Sequence, residues 1–432
     1  MKVAVFGLGY VGLTHVAYLS QFHDVMAIEP DERKRKILLE GGDYLHEPNV
    51  SDMLKKHAKK ITYTTTPLER WTDIRTAILA VPTPNHPDGS ADLSRVEAVV
   101  DELAIGLDKD AWIVVRSTVP PGTYAHLMHR LTLQNRTDLH IVMLPEFLVT
   151  GQAYQELVSP IRVVLGSLHE GTEAFLRSMF DYGIKIPFVV MHPDSACLTK
   201  YASNTFLATK VSWINHIAQL ADVSNANIDD VIKALQYDPR LGGDYLKPGI
   251  GFGGGCLPKD VQAIASYAVQ KGIRPTLLET TLLTNQVQPM YFLDHILTYF
   301  HHQLEGLKIA ILGISFKGTS HEVTHSPALV ILDALSKHQA HVIVYDPLAM
   351  PSLQKARGEA WSFHVAQDIK EALTHADVCL ILSDLPSVKE LKAIDFIRLM
   401  KKPLVFDGRN VFPLAMMKGV EYYSIGRPAV KP

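Results

Sequence analysis

Short apolar runs alternate with amphipathic segments through the first part of the chain. The chain opens with the apolar run VAVF, a glycine-containing turn and an amphipathic segment that predicts a helix to about Gln21. Further runs predict strands at 25–28, 77–81, 112–116, 141–144 and 163–165. Because segments of helical period separate these strands, the pattern predicts a doubly wound parallel sheet of the α/β class, in a first domain at 1–193.

The pattern then changes to one long helix without Gly or Pro, from about 194 to 221. A polar stripe containing Lys200, Asn204 and Asn215 interrupts its apolar faces. Such a stripe is usually a solvated face, but a surface would usually carry more charge than one Lys and two Asn. The stripe is therefore either a solvated face or part of a functional site, within a helical central domain predicted at 194–300.

The last part of the chain repeats the plan of the first. Two pairs of segments match, which are 308–313 with 2–7 and 342–347 with 25–30. The second glycine of the phosphate turn is missing after Gly313, and Phe316 and Lys317 stand in the turn. A lysine there supplies charge for a nucleotide other than NAD. The predicted fold class is therefore α/β, with two Rossmann-like doubly wound domains, the second at 301–432, joined by a long central helix and a helical region.

The first glycine turn has the spacing of a dinucleotide-binding turn. Gly7, Gly9 and Gly12 follow a predicted strand and open a predicted helix, and Glu29 ends the next strand about 20 residues later. An acid at that position takes ribose hydroxyls and repels a 2′-phosphate, which favours NAD over NADP despite the basic run that includes Lys34. The alternative is a glycine turn that binds no ligand.

Three proline-containing loops follow predicted strands of the first domain, at 81–84, 117–121 and 145–148. Ligands of open α/β sheets bind at the carboxyl ends of the strands, so these loops are candidate ligand contacts. Each loop by itself is equally compatible with a turn that only connects two elements.

Cys256 stands between a run of glycines and a Pro-Lys-Asp that is typical of the first turn of a helix. The positive end of a helix dipole favours a thiolate, and the glycines let a ligand approach closely. Asp260 follows about one turn later, near enough to act on the same substrate atom. The alternative is a buried structural cysteine beside a flexible loop.

Composition narrows the class of protein. The chain has 432 residues and a net charge of −3, so two or three domains are expected and nothing attracts nucleic acid or an anionic membrane globally. Its three cysteines are odd in number and far apart, which favours a reducing cytoplasm. No apolar run approaches the ~20 residues of a membrane span. The 20 histidines are scattered without a ligand spacing, so we expect no metal.

An ordered set of motifs resembles the UDP-glucose/GDP-mannose dehydrogenase family over nearly the whole chain. The motifs are GLGYVG, VPTP, STVPPGT, PEFL, KYASNTFLATK, GFGGGCLPKD, LGISFK, DGRN and YYSIGR. The resemblance implies an NAD-binding first domain, a central helical region that forms a homodimer, and a last domain that holds a nucleotide sugar. It also implies a four-electron oxidation of a sugar C6 alcohol to a carboxylate with two NAD⁺.

By resemblance, Cys256 attacks the C6 aldehyde to give a thiohemiacetal and, after the second oxidation, a thioester that water hydrolyses. Lys200 and Asn204 match the pair that stabilises the oxyanion and positions water. Further implied catalytic residues are Asp260 in proton transfer or water ordering, Thr118 in water binding, and Glu146 as general base in hydrolysis.

The binding residues follow from the same motifs. Residues predicted to contact NAD are Gly7, Gly9, Tyr10, Val11, Gly12, Glu29, Lys34, Pro82, Thr83, Ser117 and Thr118. Residues predicted to contact the nucleotide sugar are Glu146, Phe147, Leu148, Lys200, Asn204, Arg240, Tyr245, Lys247, Gly253, Phe316, Lys317 and Arg409. Arg240 matches an arginine that reaches the site of the neighbouring subunit.

The sequence departs from the family pattern at Thr150, where many members are acidic, and at Thr324 and His325, which replace Arg and Glu. A lost contact could be supplied by His321 or His325, or these could be surface histidines. The motif Tyr245-Leu-Lys-Pro-Gly resembles enzymes that convert UDP-glucose to UDP-glucuronate, a precursor of polysaccharides.

Several alternatives share the named residues. GDP-mannose and UDP-N-acetylhexosamine dehydrogenases use the same catalytic set. A two-electron hydroxyacid dehydrogenase also has Lys-x-x-x-Asn on a long helix, but it gives no role to Cys256. A protein that senses NAD and a nucleotide sugar without turnover would leave the whole catalytic set unused.

Overall fold

The computed structural model describes residues 1–45, 47–65, 73–183, 185–358 and 363–432. They pack into two compact units, Met1–Ser203 and Asn204–Pro432. The division into domains at 1–193, 194–300 and 301–432 stays a prediction.

The first unit is an α/β sheet with helices on both faces. Its strands are β1 (Lys2–Phe6), β2 (Asp24–Ile28), β3 (Ile61–Thr64), β4 (Ile74–Leu79), β5 (Trp112–Val115), β6 (His140–Met143), β7 (Val163–Gly166) and β8 (Phe188–Met191). Its helices are α1 (Tyr10–Leu19), α2 (Glu32–Leu39), α3 (Val50–Lys56), α4 (Ser94–Gly106), α5 (Thr123–Leu133), α6 (Ala153–Val158) and α7 (Thr172–Met179). The strand order is β3-β2-β1-β4-β5-β6-β7-β8, which is doubly wound about β1.

The pleat of β1 explains the two layers of core. Val3 and Val5 pack into one cluster with Leu13 of α1, whereas Ala4 and Phe6 pack into a second cluster on the other face of the sheet. Successive side chains of a strand point to opposite faces, so a strand covered by helices on both faces reads as one apolar run.

The prediction of a parallel sheet is wrong at one pair of neighbouring strands. In the order of the sheet, the strands β3, β2, β1, β4, β5 and β6 are all parallel. Strands β6 and β7 pair antiparallel, at Met143 and Gly166. Strands β7 and β8 are parallel to each other. An apolar run predicts a strand and not its direction, which depends on the edge of the sheet to which the chain returns. Strands β3 and β8 were not predicted.

Helix α8 (Pro193–Ser224) has 32 residues and runs through the boundary between the two units. The helix predicted at 194–221 is therefore confirmed with slightly longer ends. Its buried residues in the second unit include Ala208, Ile214 and Ala218. Lys200 lies in the part of α8 that belongs to the first unit. Asn204, one turn later, is the first residue of the second unit.

The second unit contains the other αβ half. Its strands are β9 (Lys308–Leu312), β10 (His341–Tyr345), β11 (His364–Val365), β12 (Val378–Ile381), β13 (Leu404–Asp407) and β14 (Glu421–Ser424). Its helices after α8 are α9 (Ile228–Gln236), α10 (Leu257–Gln270), α11 (Thr276–Tyr299), α12 (Pro327–Leu335), α13 (Met350–Arg357), α14 (Ile369–Leu373), α15 (Pro386–Lys389) and α16 (Ala393–Leu399). The strand order is β11-β10-β9-β12-β13-β14, and all these pairs are parallel.

The repeat seen in the sequence is also a repeat in structure. Strands β9 and β10 correspond to β1 and β2, and each pair is parallel with a glycine of positive φ after the first strand, Gly7 or Gly313. The acid at the end of the second strand accepts hydrogen bonds from the turn in both copies. Glu29 accepts from the Leu8 N–H at 3.0 Å, and Asp346 accepts from the Ile314 N–H at 2.9 Å.

Candidate active site

The glycine turn between β1 and α1 is shaped to hold a dinucleotide. Gly7 has a φ of 83° and lies against the backbone of Ala80, so a side chain there would be strained and would collide. Gly9 caps α1, and a Cβ on it would meet nothing within 4 Å, which leaves the helix N-terminus open to a ligand. Gly12 packs directly on the carbonyl of Gly7. Free N–H groups at an open helix N-terminus fit a pyrophosphate.

Glu29 directly follows β2, where the sequence predicts the acid, and the structure also gives it a local role. Glu29 is 5% exposed, and its carboxylate accepts hydrogen bonds from the N–H groups of Leu8 and Asp31, at 3.0 and 3.1 Å. Lys34 Nζ lies 3.6 Å from the same carboxylate. Tyr10 and Val11 form the first turn of α1, and the Tyr10 hydroxyl donates to the carbonyl of Val149 at 2.9 Å.

Removing the charge of Glu29 should weaken the preference for NAD over NADP. In Glu29→Gln we expect kcat/KM for NADP, relative to NAD, to rise about tenfold, the equivalent of roughly 1.4 kcal/mol, because a carboxylate repels a 2′-phosphate. The matched control is Glu32→Gln on the exposed start of α2. Equal ratios for the parent and Glu29→Gln would contradict this role of Glu29.

The loops after β4 and β5 are joined by hydrogen bonds of their side chains. Ser117 Oγ donates to the carbonyl of Val81 at 2.7 Å, and Thr83 Oγ1 donates to the carbonyl of Thr118 at 2.8 Å. Pro82 lies in the loop after β4, between Val81, which accepts one of these hydrogen bonds, and Thr83, which donates the other. Parallel neighbouring strands end at the same edge of a sheet, so these residues lie where ligands of doubly wound sheets bind.

Glu146 and Lys200 form a buried ion pair in the first unit. Glu146 follows β6 and is 9% exposed, and Lys200 on α8 is 6% exposed. Lys200 Nζ donates to Glu146 Oε1 at 3.0 Å, and the N–H of Leu148 donates to Glu146 Oε2 at 2.6 Å. Lys200 Nζ also lies 5.5 Å from the centre of the Phe147 ring. The structure thus brings together two residues that have 53 other residues, 147–199, between them in the chain.

Electrostatics favour the ionised form of Glu146. Burial by itself would raise the pKa of Glu146, but Lys200, the N–H of Leu148 and the guanidinium of Arg116 outweigh burial and hold this pKa below its ordinary value. A carboxylate in this state can accept a proton from water once a substrate is bound.

Cys256 lies at the N-cap of α10, in the second unit, as the sequence predicts. It is exposed, whereas Cys197 and Cys379 are buried. Burial raises the pKa of Cys197 to about 12 and also raises that of Cys379. An exposed thiol at the N-terminus of a 14-residue helix is the one of these three cysteines placed for nucleophilic chemistry.

Asn204 and Asp260 meet beside the start of α10. Asn204 Nδ2 donates to Asp260 Oδ2 at 2.6 Å, and Lys259 Nζ donates to the other oxygen at 2.6 Å. Asp260 is 1% exposed, and its N–H donates to the carbonyl of Cys256 at 2.9 Å. The carboxylate therefore orients the Asn204 amide and is tied to the first turn that carries the cysteine.

The glycine loop before Cys256 is held by polar side chains of α8 and α11. Asn215 Oδ1 accepts from the Gly249 N–H at 2.8 Å, and Gln288 donates to the Gly249 carbonyl at 2.9 Å. Asn285 accepts from the Phe252 N–H at 2.7 Å and donates to its carbonyl at 2.9 Å. Asn215, on the predicted polar stripe, is therefore a buried support of the loop. Sequence reasoning gave no role to Asn285 or Gln288, because only packing of α11 brings them there.

The loop after β9 packs on the cysteine loop. The N–H of Gly254 donates to the carbonyl of Thr324 at 2.8 Å, and a Cβ on Gly254 would lie 3.0 Å from the Phe316 ring. A Cβ on Gly253 would collide with the carbonyl of His325. Thr324 and His325, which depart from the family pattern, thus meet the cysteine loop through their backbone, so their side chains do not decide this contact.

A pocket of about 210 Å³ lies in the second unit beside these loops, and Lys247, Lys317, Arg409 and Asp384 are among its lining residues. Asp384, which sequence reasoning missed, accepts from the Gly318 N–H at 3.0 Å and from Lys389 at 2.6 Å. The three cationic side chains could bind phosphate oxygens.

Arg409 also has a structural role that the sequence did not predict. Its guanidinium donates to the carbonyls of Leu382 and Gly251 at 2.9 Å each, and to the carbonyl of Phe316 at 3.4 Å. Burial lowers the pKa of Arg409 to about 10 against the influence of nearby carboxylates. Arg409 therefore ties the cysteine loop to the phosphate turn.

Arg240 and Tyr245 lie on an exposed segment before the cysteine loop. The Arg240 side chain is 85% exposed and pairs with Asp238 of its own chain, with Nε donating at 2.9 Å. Tyr245 is 41% exposed and has a positive φ of 62°. The binding roles of both residues stay predictions.

In the part of the chain that the structure describes, no helix is long and apolar enough to cross a membrane. Among the same residues, no group of three or more His, Cys, Asp or Glu side chains is arranged to hold a metal ion.

Three family models match consecutive parts of the chain. They are the NAD binding domain (residues 1–183), the central domain (194–287) and the UDP binding domain (310–413) of the UDP-glucose/GDP-mannose dehydrogenase family. UDP-glucose 6-dehydrogenase TuaD of Bacillus subtilis is 35% identical, with 100% of this chain and 94% of that protein covered. The UDP-glucose 6-dehydrogenase of Rhizobium meliloti is 33% identical, with 99% and 100% covered.

Solved structures are also similar. A UDP-glucose dehydrogenase from Pyrobaculum islandicum has a TM-score of 0.89 at 28% identity, with 99% of this chain and 97% of that chain covered. A UDP-D-ManNAc dehydrogenase from Pyrococcus horikoshii has a TM-score of 0.86 at 25% identity, with 99% of each chain covered.

The family models and the relatives define a class of enzyme, the NAD-dependent nucleotide-sugar 6-dehydrogenases. Within that class, the chain belongs to the UDP-glucose/GDP-mannose dehydrogenase family.

Proposed function

We propose that the chain oxidises the C6 alcohol of UDP-glucose to the carboxylate of UDP-glucuronate, through a thioester on Cys256. The observation that carries this proposal is the exposed Cys256 thiol at the N-cap of α10, with the buried Asp260 carboxylate in the first turn and the Asn204 amide fixed against it. A thiol placed in this way has no use in a two-electron oxidation, but it gives the second oxidation and the hydrolysis a common covalent intermediate.

The residues of the β1–α1 turn would hold NAD, which when bound supplies the hydride acceptor for each oxidation at C6. Once the aldehyde is formed, the Cys256 sulfur adds to C6, and the new oxyanion takes up a proton to give a thiohemiacetal. After the second oxidation C6 is a thioester. Water then attacks C6, the C–S bond breaks, and the carboxylate and the thiolate are released.

The two polar pairs suit different steps of this sequence. Asn204 Nδ2 and Lys200 Nζ are hydrogen-bond donors for the oxyanion that forms when sulfur or water adds to C6. Glu146, held as a carboxylate, is the base that takes a proton from the attacking water, and Thr118 binds that water. Asp260 orients Asn204 through the hydrogen bond of 2.6 Å.

The second αβ half supports a nucleotide sugar as substrate. Its phosphate turn carries Lys317, and Lys247 and Arg409 line the same pocket. Relatives named UDP-glucose 6-dehydrogenase cover the whole chain at 30–35% identity, which supports UDP-glucose. A second candidate is UDP-N-acetylmannosamine, because two structural relatives bear that activity in their names.

We further propose a homodimer, because large apolar side chains of α8 and α11 are exposed in the single chain. Phe206 is 62% exposed, Trp213 43%, Leu220 50% and Leu283 59%. Phe206, Trp213 and Leu220 recur every seven residues and therefore share one face of α8, and an exposed apolar helix face is typical of an interface. The exposed Arg240 would then be free to leave Asp238 and reach a partner's site. The cytoplasmic location stays a prediction.

The test of the function is the number of NADH molecules formed per nucleotide sugar consumed. We expect two NADH and one uronic acid with UDP-glucose, and lower kcat/KM with UDP-N-acetylglucosamine, UDP-N-acetylmannosamine and GDP-mannose. One NADH per turnover would support the hydroxyacid type of reaction, and none would support a binding protein without turnover. Preference for UDP-N-acetylmannosamine would leave the reaction intact and replace the substrate.

A further inference from the structure

Arg116 is a buried cation with no role in the mechanism above. It follows β5, is 7% exposed, and its Nη1 donates to the carbonyls of Leu144 and Pro145, at 2.9 and 3.2 Å. Its Nε is buried without a hydrogen-bond partner among the described residues. Burial of the guanidinium charge costs stability, and hydrogen bonds to neutral carbonyls do not neutralise that charge. Stability by itself therefore does not explain a buried arginine at this position.

The two carbonyls that Arg116 binds belong to the residues directly before Glu146. The chain from β6 through Leu144 and Pro145 carries the Glu146 side chain toward Lys200. Proline cannot donate a backbone hydrogen bond, so this turn depends on other groups to fix it. Arg116 supplies two such bonds from one nitrogen.

We propose that Arg116 is a positioning residue for Glu146, because the Arg116 guanidinium fixes the turn that carries this base during thioester hydrolysis. The inference rests on the proposed role of Glu146 and deepens it. Arg116 itself does not touch the substrate in this proposal.

The charges around Glu146 allow the effect to be assigned. Lys200 faces one carboxylate oxygen from α8, and Arg116 faces the group from the end of β5. Both cations lower the pKa of Glu146, whereas burial, the largest influence, raises it. Loss of either cation therefore moves this pKa upward.

Other titratable groups also lie near Arg116, and none of them is among the named causes of the lowered pKa of Glu146. Burial and Arg116 together lower the pKa of His15, which is therefore neutral near pH 7. Burial raises the pKa of Tyr182, despite the opposite influence of Arg116. A cavity of about 80 Å³ beside Arg116 is also lined by Glu156 and Arg162, and Glu156 accepts from the N–H of Val149 at 2.7 Å.

Two substitutions separate the geometric part of this role from the electrostatic part. In Arg116→Met both parts are lost, so we expect kcat for uronate formation to fall about 100-fold, the lower range of a general base's contribution. The acid limb of the pH profile should move up by about one unit, because Glu146 would be protonated to a higher pH. Arg116→Lys keeps the charge, so the acid limb of its pH profile should stay at the parental pH. Only kcat should fall, by about tenfold.

Single-turnover experiments give a readout that a purely structural role would not change. We expect the first NADH to form at the parental rate in both variants, while a thioester accumulates that hydroxylamine can trap. The matched control is Arg177→Met, because Arg177 donates to the carbonyls of Gly183 and Ile186 at 3.0 Å each in the same unit. It should lose stability without a shift of the pH profile or trapped thioester.

The outcomes distinguish this inference from the proposed function. If Glu146→Gln slows hydrolysis but both Arg116 variants hydrolyse the thioester at the parental rate and pH, the inference on Arg116 is wrong. If Glu146→Gln itself hydrolyses at the parental rate, Glu146 is not the base, and the mechanism proposed above fails. Should Arg116→Met not fold, Arg116→Lys decides, since parental kcat per folded molecule would overturn the positioning role.

Discussion

Replacing Cys256 by serine should abolish uronate formation while nucleotide-sugar binding stays near its parental value. The serine hydroxyl is far less ionised than a thiol at a helix N-terminus, and an ester is a poorer intermediate than a thioester. For loss of an essential nucleophile we expect a fall in kcat on the order of 10³-fold or more. The measurements are NADH and uronate per nucleotide sugar, with calorimetry of nucleotide-sugar binding on the same protein.

The control for this experiment is Cys197→Ser. Cys197 is 3% exposed and its pKa is raised to about 12 by burial, so it is not a nucleophile near neutral pH. Cys197→Ser should keep the parental kcat per folded molecule and lose some stability, since a hydroxyl replaces a buried thiol. Uronate formation by Cys256→Ser at more than a tenth of the parental rate would rule out the covalent mechanism.

Replacing Lys200 by methionine should remove both activity and a large part of the stability. Lys200 and Glu146 are buried together, and removal of one partner of a buried ion pair costs about 3–5 kcal/mol, because the other charge stays buried and uncompensated. Activity is lost because the oxyanion donor disappears and the pKa of Glu146, the proposed base, rises. The control is Lys210→Met on the same helix, where Lys210 donates to the carbonyls of Leu241 and Gly242.

The loss of stability in Lys200→Met should depend on pH, and the shifted pKa of Glu146 gives the direction of that dependence. In the parent the pKa of Glu146 is lowered in the folded state, so its contribution to stability is present above the unfolded pKa and is lost as the pH falls through the folded pKa. Without Lys200, the largest of the influences that lower the folded pKa of Glu146 is lost, so this pKa is higher in the variant than in the parent. The variant should therefore lose stability, relative to the parent, as the pH rises through the acid range.

Thermal unfolding between pH 4 and 8 would measure this difference. The double variant Lys200→Met/Glu146→Gln should recover part of the stability and none of the activity, because it removes the buried charge and also the base. A parental melting temperature for Lys200→Met at pH 8 would show that the ion pair does not have the energetic role described.

Elements that depend on local pattern were predicted well. The β1–α1 turn and the acid after β2 follow from glycine spacing and strand period, and the structure has both. Cys256 lies at the start of a helix because Pro258 and the apolar period mark that start within a few residues. Local apolar runs also predicted β1, β2, β4–β7, β9 and β10, whereas β3, β8 and β11–β14 were not predicted.

Elements that depend on contacts between distant segments were not predicted. Strand β7 is as apolar as a parallel strand would be, yet it runs antiparallel to β6. Arg116 reads as the end of a strand, and only folding shows that it binds the carbonyls before Glu146. The sequence predicts Arg409 as a contact of the nucleotide sugar, and only folding shows that it also joins the carbonyls of Gly251 and Phe316.

The sequence by itself determined the fold class and the family, and it predicted which residue types carry the chemistry, because glycine spacing, apolar period and the Cys-Leu-Pro-Lys-Asp segment are patterns of a few neighbouring residues. The tertiary structure alone decided the pairing of Glu146 with Lys200 and of Asn204 with Asp260. The physical reason is burial. A carboxylate keeps its charge inside a protein only when the packing of other elements brings a donor within hydrogen-bond distance, and no local pattern records which donor that is.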